Sequence, residues 1–269
     1  MSTRRDWWDA TWNPVGGCKR ISKGCRECFA PPFLNGHPHE CETIHTGVIE
    51  KDDDGRWVFN GRLTVLPDGH PLWNFPFEYP GARRPKLGIG KPSLILVACM
   101  SDLFVEGRPP KDIDRVVETI ALSKHIGLFL SKYTGRMAKY FLNQSPLTVE
   151  CWQQNIWLGF SAENQKCCDR RWEDMRRLAE AGWFVYASLA PLLGPVTLAP
   201  DFLALGKWVI VNGEGEQANR DRCRPMDPMW ACALRDQCAE AGIPFFMRGM
   251  AKGAPRPTDL RMREFPSVP

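Results

Sequence analysis

Three thiols are the first candidates for chemistry. The segment Cys18-Lys-Arg-Ile-Ser-Lys-Gly-Cys25-Arg-Glu-Cys28-Phe29 places three cysteines within eleven residues, beside Gly16, Gly17 and Gly24. Glycine lets a loop turn tightly, so the thiols can converge on one metal centre. Their number matters, because a four-iron cluster held by three cysteines leaves one iron open to a further ligand. The spacing leaves two other readings open: a structural zinc site with a distant fourth ligand, and three unconnected thiols.

A second set of candidates stands at the ends of apolar runs. Runs at 94–99, 126–131, 156–161, 184–188, 208–211 and 244–247 are apolar throughout rather than alternating. That pattern predicts strands covered on both faces, as in parallel sheets. Each is followed by polar residues: Ser101 and Asp102, then Ser131 and Lys132, then Ser161, Glu163 and Asn164. Ser188, Asn212, Glu214 and Arg248 complete the series. In barrels of parallel strands the working residues sit at these C-terminal ends. The plainer reading is that strand ends are polar because loops begin there.

Helical stretches separate the runs. Residues 111–123 carry Ile113, Val116, Val117 and Ile120 at i, i+3, i+4 and i+7. A helix over 169–181 stops at Gly182, and Asp227-Pro228 predicts the N-cap and first turn of a helix stopped by Gly242. Strands recur about every 24 to 37 residues, the size of a βα unit. The fold class is therefore α/β, with an open or partial barrel favoured over a doubly wound sheet. A short extra strand is expected at 10–13. Segments 46–50, 56–60 and 62–65, divided by Asp54-Gly55 and Asn60-Gly61, predict a small β-meander.

The chain has 269 residues, 43% hydrophobic and 25% charged, which excludes disordered and fibrous classes. No apolar run reaches the roughly 18–20 residues of a bilayer span. The start lacks an apolar signal core, so a cytoplasmic location is expected (the host cytoplasm if phage-encoded). Eleven cysteines then imply a reducing compartment. The net charge of +4 permits a nucleic-acid partner without requiring one.

Trp12-Asn-Pro-Val-Gly-Gly-Cys18, continuing to Cys25-Arg-Glu-Cys28-Phe-Ala30, resembles the opening of a phage-associated radical S-adenosylmethionine (SAM) family. Its triplet is Cys-x6-Cys-x2-Cys, and the family is Cα-glycyl-thymidine synthase-like. The resemblance continues in order through Met100-Ser-Asp-Leu-Phe104, Trp157-Leu-Gly-Phe-Ser-Ala-Glu-Asn164 and Pro191-Leu-Leu-Gly-Pro-Val196. It ends with Trp208-Val-Ile-Val-Asn-Gly-Glu214, Arg224-Pro-Met, Leu234-Arg-Asp-Gln-Cys-Ala239 and Pro244-Phe-Phe246, covering most of residues 10–250.

The resemblance implies a partial (β/α)6 TIM-type barrel forming a single radical SAM domain over 1–269. Within it, 1–30 is the cluster loop, 31–92 an irregular insertion, 93–250 the βα units and 251–269 a basic tail. A [4Fe–4S] cluster would sit on Cys18, Cys25 and Cys28, with SAM chelating the open iron. Asp102 would accept from SAM's ammonium beside Ser101, Lys132 would pair with its carboxylate, and Ser161, Glu163 and Asn164 would hold ribose hydroxyls. Phe29 would pack near the adenine. Glu214, Glu216 and Arg248 lie late in the barrel, Glu214 or Arg248 would bind a charged substrate group, and Cys223 is a candidate relay thiol. The implied reaction is an isomerisation in DNA hypermodification, from N-linked to C-linked glycyl-thymidine, with a flavodoxin- or ferredoxin-type electron donor and a monomeric enzyme. The family pattern has Glu before Pro-Leu-Leu-Gly-Pro where this chain has Ala190, which implies altered substrate chemistry.

A radical SAM enzyme acting on RNA, a peptide or a small molecule would carry the same motifs. A DNA-binding protein with a structural Zn or Fe–S site is the reading from another class. His37, His39, Cys41 and His45 have zinc-ligand chemistry, but sit in a Pro-rich loop. Asp52-Asp-Asp54-Gly55 reads as a turn rather than a calcium loop. Basic groups at Arg83, Arg84 and Lys86, at Lys132, Arg136 and Lys139, and in the tail at Arg248, Lys252, Arg256, Arg261 and Arg263 could track phosphates. Trp7, Trp8 and Trp12 could then stack on a base, the alternative being core tryptophans.

Overall fold

The computed structural model describes residues 6–37, 44–81, 92–215, 223–251 and 254–267. The chain opens with β1 (Ala10–Trp12), β2 (Val15–Gly16) and α1 (Ala30–Gly36), followed by β3 (Ile49–Lys51), β4 (Trp57–Phe59), β5 (Thr64–Val65) and α2 (Phe75–Glu78). The repeating part then runs β6 (Leu94–Val97), α3 (Pro110–Ala121), β7 (Ile126–Ser131), α4 (Thr134–Leu142) and α5 (Pro146–Trp152). It continues β8 (Ile156–Ala162), α6 (Gln165–Glu180), β9 (Phe184–Leu189), α7 (Pro200–Leu205), β10 (Trp208–Asn212), α8 (Pro228–Ala241) and β11 (Phe245–Gly249).

Seven strands form one sheet in the order β1-β6-β7-β8-β9-β10-β11, and every pairing is parallel. Each strand lies beside its successor in the sheet. With this order, the right-handed rule for parallel crossovers places the connecting helices on one face, and the sheet curls into a half-barrel. A doubly wound sheet would require the order to reverse, and it does not.

Burial separates the two faces. Odd-numbered β8 positions from Trp157 point inward with Tyr186, Trp208 and Phe246, while Leu158 and Phe160 point outward into the larger helix-covered core. Gly159 is inward, and a Cβ there would lie 2.2 Å from the Tyr186 ring, so the interior closes over that glycine. The expected helix face of Ile113, Val116, Val117 and Ile120 is buried on α3. Helix α6 starts four residues before the predicted 169 because Asn164 caps it, accepting from Cys167 N at 3.1 Å. Helix α8 has the expected ends: Asp227 accepts from Met229 N at 2.9 Å, and Gly242 closes it with φ 68°.

Three expectations are corrected. The insertion is not a meander: β3 and β4 form a hairpin over Gly55, but β5 leaves them and pairs antiparallel with β2. The Asn60 side chain explains this. It accepts from Arg62 N at 3.0 Å and donates to Gly47 O at 3.0 Å, turning the chain away from β4. Second, Trp7 and Trp12 are 4% and 2% exposed, Trp7 inside the half-barrel against Tyr186 and Trp208, so neither can stack on a base.

Third, the tail is no free basic arm. Met247 N donates to Met262 O at 2.9 Å, Trp208 Nε1 to Glu264 O at 3.0 Å, and Phe265 packs on Trp208 and Phe246. The Arg263 guanidinium lies over the Phe246 ring. Among the basic groups, Arg136 donates to Val105 O and Arg108 O, while Arg83, Arg84, Lys86 and Lys252 lie outside the described residues.

Candidate functional site

Along the inward face the side chains change character from the start of the strands to their ends. The first turns of the interior hold Trp157, Tyr186, Trp208 and Phe246. The same alternation carried forward gives Lys132 after β7, Ser161 and Glu163 on and after β8, Ser188 on β9, Asn212 and Glu214 on and after β10, and Arg248 on β11. Polar groups therefore ring the C-terminal mouth, where parallel barrels carry their sites.

The cysteine loop folds over this mouth. Lys132's charge acts on Cys18, Cys25 and Cys28, and both other thiols act on Cys18, so the triplet shares one region with one ammonium. Burial and then the Asp102 carboxylate push the Cys18 thiol well up, and burial raises Cys28. At Cys25 burial works in the same direction but is outweighed by Lys132 and by hydrogen bonds from Ile21 and Ser22, so its pKa is lowered. Cys18, Cys25 and Cys28 are free thiols. Among the described residues, no group of three or more His, Cys, Asp or Glu is gathered as the ligands of a single metal ion. Cys168 and Cys238 are buried packing residues.

Two buried carboxylates hold the loop. Glu163 accepts from Gly24 N at 3.1 Å and from Arg171 Nη1 at 2.8 Å, and both side chains are wholly buried. Burial opposes its ionisation, but the Ser22 hydroxyl, Arg171 and Gly24 N together pull its pKa down to about 2. Glu214, 4% exposed, accepts from Arg224 N at 2.8 Å and Nε at 3.0 Å and also bonds Arg224 Nη2; Arg224 Nη1 in turn donates to Lys23 O at 2.8 Å. Glu163 and Glu214 thus face the protein's own loop instead of ribose and substrate. Neither arginine was singled out from sequence. Arg171 had a signal, since it lies on the buried stripe of α6 with Cys168, Trp172 and Met175. Arg224 stood only in the Arg224-Pro-Met block of the resemblance, without a role, because its contacts join residues far apart in the chain.

The remaining candidates divide between support and open surface. Asp102 Oδ1 accepts from the Ser131 hydroxyl at 2.7 Å and Phe104 N at 3.0 Å, and Oδ2 from Lys132 N at 3.0 Å. A carboxylate has about four acceptor positions, and three of those of Asp102 are taken by the chain itself. Ser101 donates to Val15 O at 3.0 Å, and Ser161 donates to Ala190 O at 3.2 Å. Asn164 is the helix cap described above. Arg248 pairs with Asp6 at 3.0 Å and lies over Trp8. The Cys223 thiol donates to Gly215 O at 3.4 Å, beside Arg224. Phe29 is 42% exposed and so is not a core residue.

In the other histidine and cysteine group, His37 stacks on Phe33, and burial lowers the pKa of His45 to about 4. His39, Cys41 and Glu216 lie outside the described residues. Among the described residues, no helix is long and apolar enough to cross a membrane.

The class of protein defined here is an α/β half-barrel with a cysteine loop clamped over its mouth. Residues 2–260 match the family model described as Protein of unknown function (DUF5131), and the chain belongs to that family. No curated protein and no solved structure matches the chain.

Proposed function

We propose that the chain is a radical SAM enzyme on a partial (β/α)6 barrel of the TIM type, with Cys18, Cys25 and Cys28 holding a [4Fe–4S] cluster. The observation that carries this reading is that three free thiols on one loop, each within electrostatic reach of the Lys132 ammonium, lie at the C-terminal mouth of a parallel half-barrel. The donor set fits such a group: thiolates are the ligands, and the neighbouring cation favours the thiolate form. The chemistry supplied there when bound is reductive cleavage of SAM to a 5′-deoxyadenosyl radical, able to take hydrogen from an unactivated carbon.

The chain's own residues bind, orient and exclude water. Lys132 presents a cation to a carboxylate, and the remaining acceptor position of Asp102 suits an ammonium. Phe29 offers an exposed ring at the edge of the loop for a base or adenine. The aromatic layer of Trp7, Tyr186, Trp208 and Phe246 closes the interior from below, keeping solvent from that side. With Glu163 and Glu214 engaged by arginines, contact with an uncharged or anionic substrate falls to Ser188, Asn212, Lys132 and Cys223.

For the substrate we take the resemblance's reaction: isomerisation of an N-linked glycyl-thymidine in phage DNA to the C-linked form, with electrons from a flavodoxin or ferredoxin. A base in duplex DNA would have to be flipped out to reach the mouth. Anaerobic reconstitution with dithionite and SAM tests the reading. The expected result is a brown protein that forms 5′-deoxyadenosine, with Cys25→Ala abolishing it. A colourless wild type without 5′-deoxyadenosine, or a Cys25→Ala variant that still makes it, sinks the assignment. Mass spectrometry of nucleosides from glycyl-modified DNA should then show an isomer of unchanged mass. Active SAM cleavage without that isomer moves the substrate elsewhere.

A further inference from the structure

We infer that Glu163 with Arg171, and Arg224 with Glu214, are two positioning clamps that fix the turn carrying Cys25 relative to Cys18 and Cys28. The inference rests on reading the triplet as a cluster site, and it assigns a role to residues outside the thiols themselves.

The turn has little of its own to hold it. It is a single 3-10 turn, Lys23–Cys25, closed by Cys25 N to Ser22 O at 3.0 Å and Arg26 N to Lys23 O at 3.2 Å, with no side-chain cap. Such short turns have poor hydrogen-bond geometry and need outside support. Two adjacent residues receive it. Gly24 N donates to Glu163, and Lys23 O accepts from Arg224. One clamp stands at the end of β8 and the other at the end of β10, so the turn is located against two strands of the barrel.

Each gripping group is itself held by an opposite charge. Arg171 meets Glu163 at 2.8 Å with neither exposed, and Glu214 bonds Arg224 through both of its oxygens. Buried ion pairs are seldom better for stability than well-packed apolar groups of the same size. Their placement under one short turn is explained by what they orient. Gly24 belongs to the same device: a Cβ there would lie 3.1 Å from the Glu163 carboxyl carbon, so a side chain would press the carboxylate off the turn.

Ser22 stands against the thiol, its Oγ 3.7 Å from Cys25 Sγ. Through Gly24 N, the residue before Cys25, Glu163 sets where Cys25 stands.

Paired substitutions test this without leaving a buried charge alone. Glu163→Leu with Arg171→Met removes the acceptor for Gly24 N, Glu163→Gln with Arg171→Met keeps it, and Glu214→Gln with Arg224→Ala releases Lys23 O. The first readout is iodoacetamide alkylation of Cys25 in the reduced apoprotein, by peptide mass spectrometry, relative to exposed Cys151. The Leu/Met and Gln/Ala pairs should change the Cys25 rate about tenfold, the scale of one lost charged hydrogen bond, while the Gln/Met pair stays near wild type. The second readout is iron retained against a chelator after anaerobic reconstitution, together with the electron paramagnetic resonance signal of the reduced protein. Retention should weaken about tenfold and the signal broaden in the same two variants, as when outer-shell partners of a metal site are lost.

Wild-type alkylation and iron retention in both disrupted variants would overturn the clamps. So would an equal change at buried Cys168, which would mean general loosening instead of local positioning. If wild type holds no iron, the cluster reading falls while the alkylation comparison still decides whether the turn is clamped.

Discussion

The lower and upper halves of the half-barrel interior are built from the same strands by opposite means. Below, Trp7, Trp157, Tyr186, Trp208 and Phe246 fill the space with aromatic rings, and the tail seals them through Phe265. Above, the inward positions hold Glu163 and Glu214, each locked by an arginine, beside three thiols and Lys132. Burial of apolar surface stabilises without choosing one geometry for a distant loop. A charged pair with directed hydrogen bonds does the reverse: it adds little net stability but fixes positions. The contrast teaches that in this protein stability and positioning are assigned to different ends of the same strands.

The strongest way to break the contrast is from below. Trp208→Ala should cost about 4 kcal/mol of unfolding free energy in urea, as for large aromatic truncations in a core. Its pH dependence should match that of wild type. A loss under 1 kcal/mol would mean that the aromatic layer does not carry the fold.

The next effect comes from above and depends on pH. Glu163 is ionised down to about 2 in the folded chain, below the ordinary carboxylate value of 4.5. Its contribution is therefore fully present above pH 4.5 and is lost as pH falls toward 2. Urea unfolding across that window should show wild type losing on the order of 2 kcal/mol more than the Glu163→Gln/Arg171→Met pair. Parallel curves would remove the clamp's charge from the account.

The smallest effect sharpens the boundary of the site. Phe29→Ser should change stability by no more than about 0.5 kcal/mol, because the ring is largely exposed. A loss above 2 kcal/mol would make Phe29 part of the core and withdraw it from the mouth.

Much of the framework was legible because it depends on local pattern. Continuous apolar runs gave parallel strands, the Ile113, Val116, Val117 and Ile120 stripe gave α3, and Asp227, Pro228 and Gly242 bracketed α8. The meander failed because the hairpin dipeptide Asn60-Gly61 was overridden by the Asn60 side chain bonding to Gly47. For Trp7 and Trp12 the structure decides for the core alternative, and the phosphate-tracking reading of the tail fails, for a related reason: composition gives charge and aromaticity, but not whether a segment docks on the sheet.

The sequence by itself determined the α/β class, the strand positions and the cysteine triplet as the place to look. Those follow from periodicity and spacing, which are properties of neighbouring residues. The tertiary structure decided that Glu163 and Glu214 serve the loop, that Arg171 and Arg224 hold them, and that Gly24 is small so a carboxylate can approach. Gly24 and Glu163 are 139 residues apart in the chain, and Lys23 and Arg224 are 201 apart. No local pattern encodes such pairings. They exist only once consecutive parallel strands have brought their C-terminal ends together under the loop.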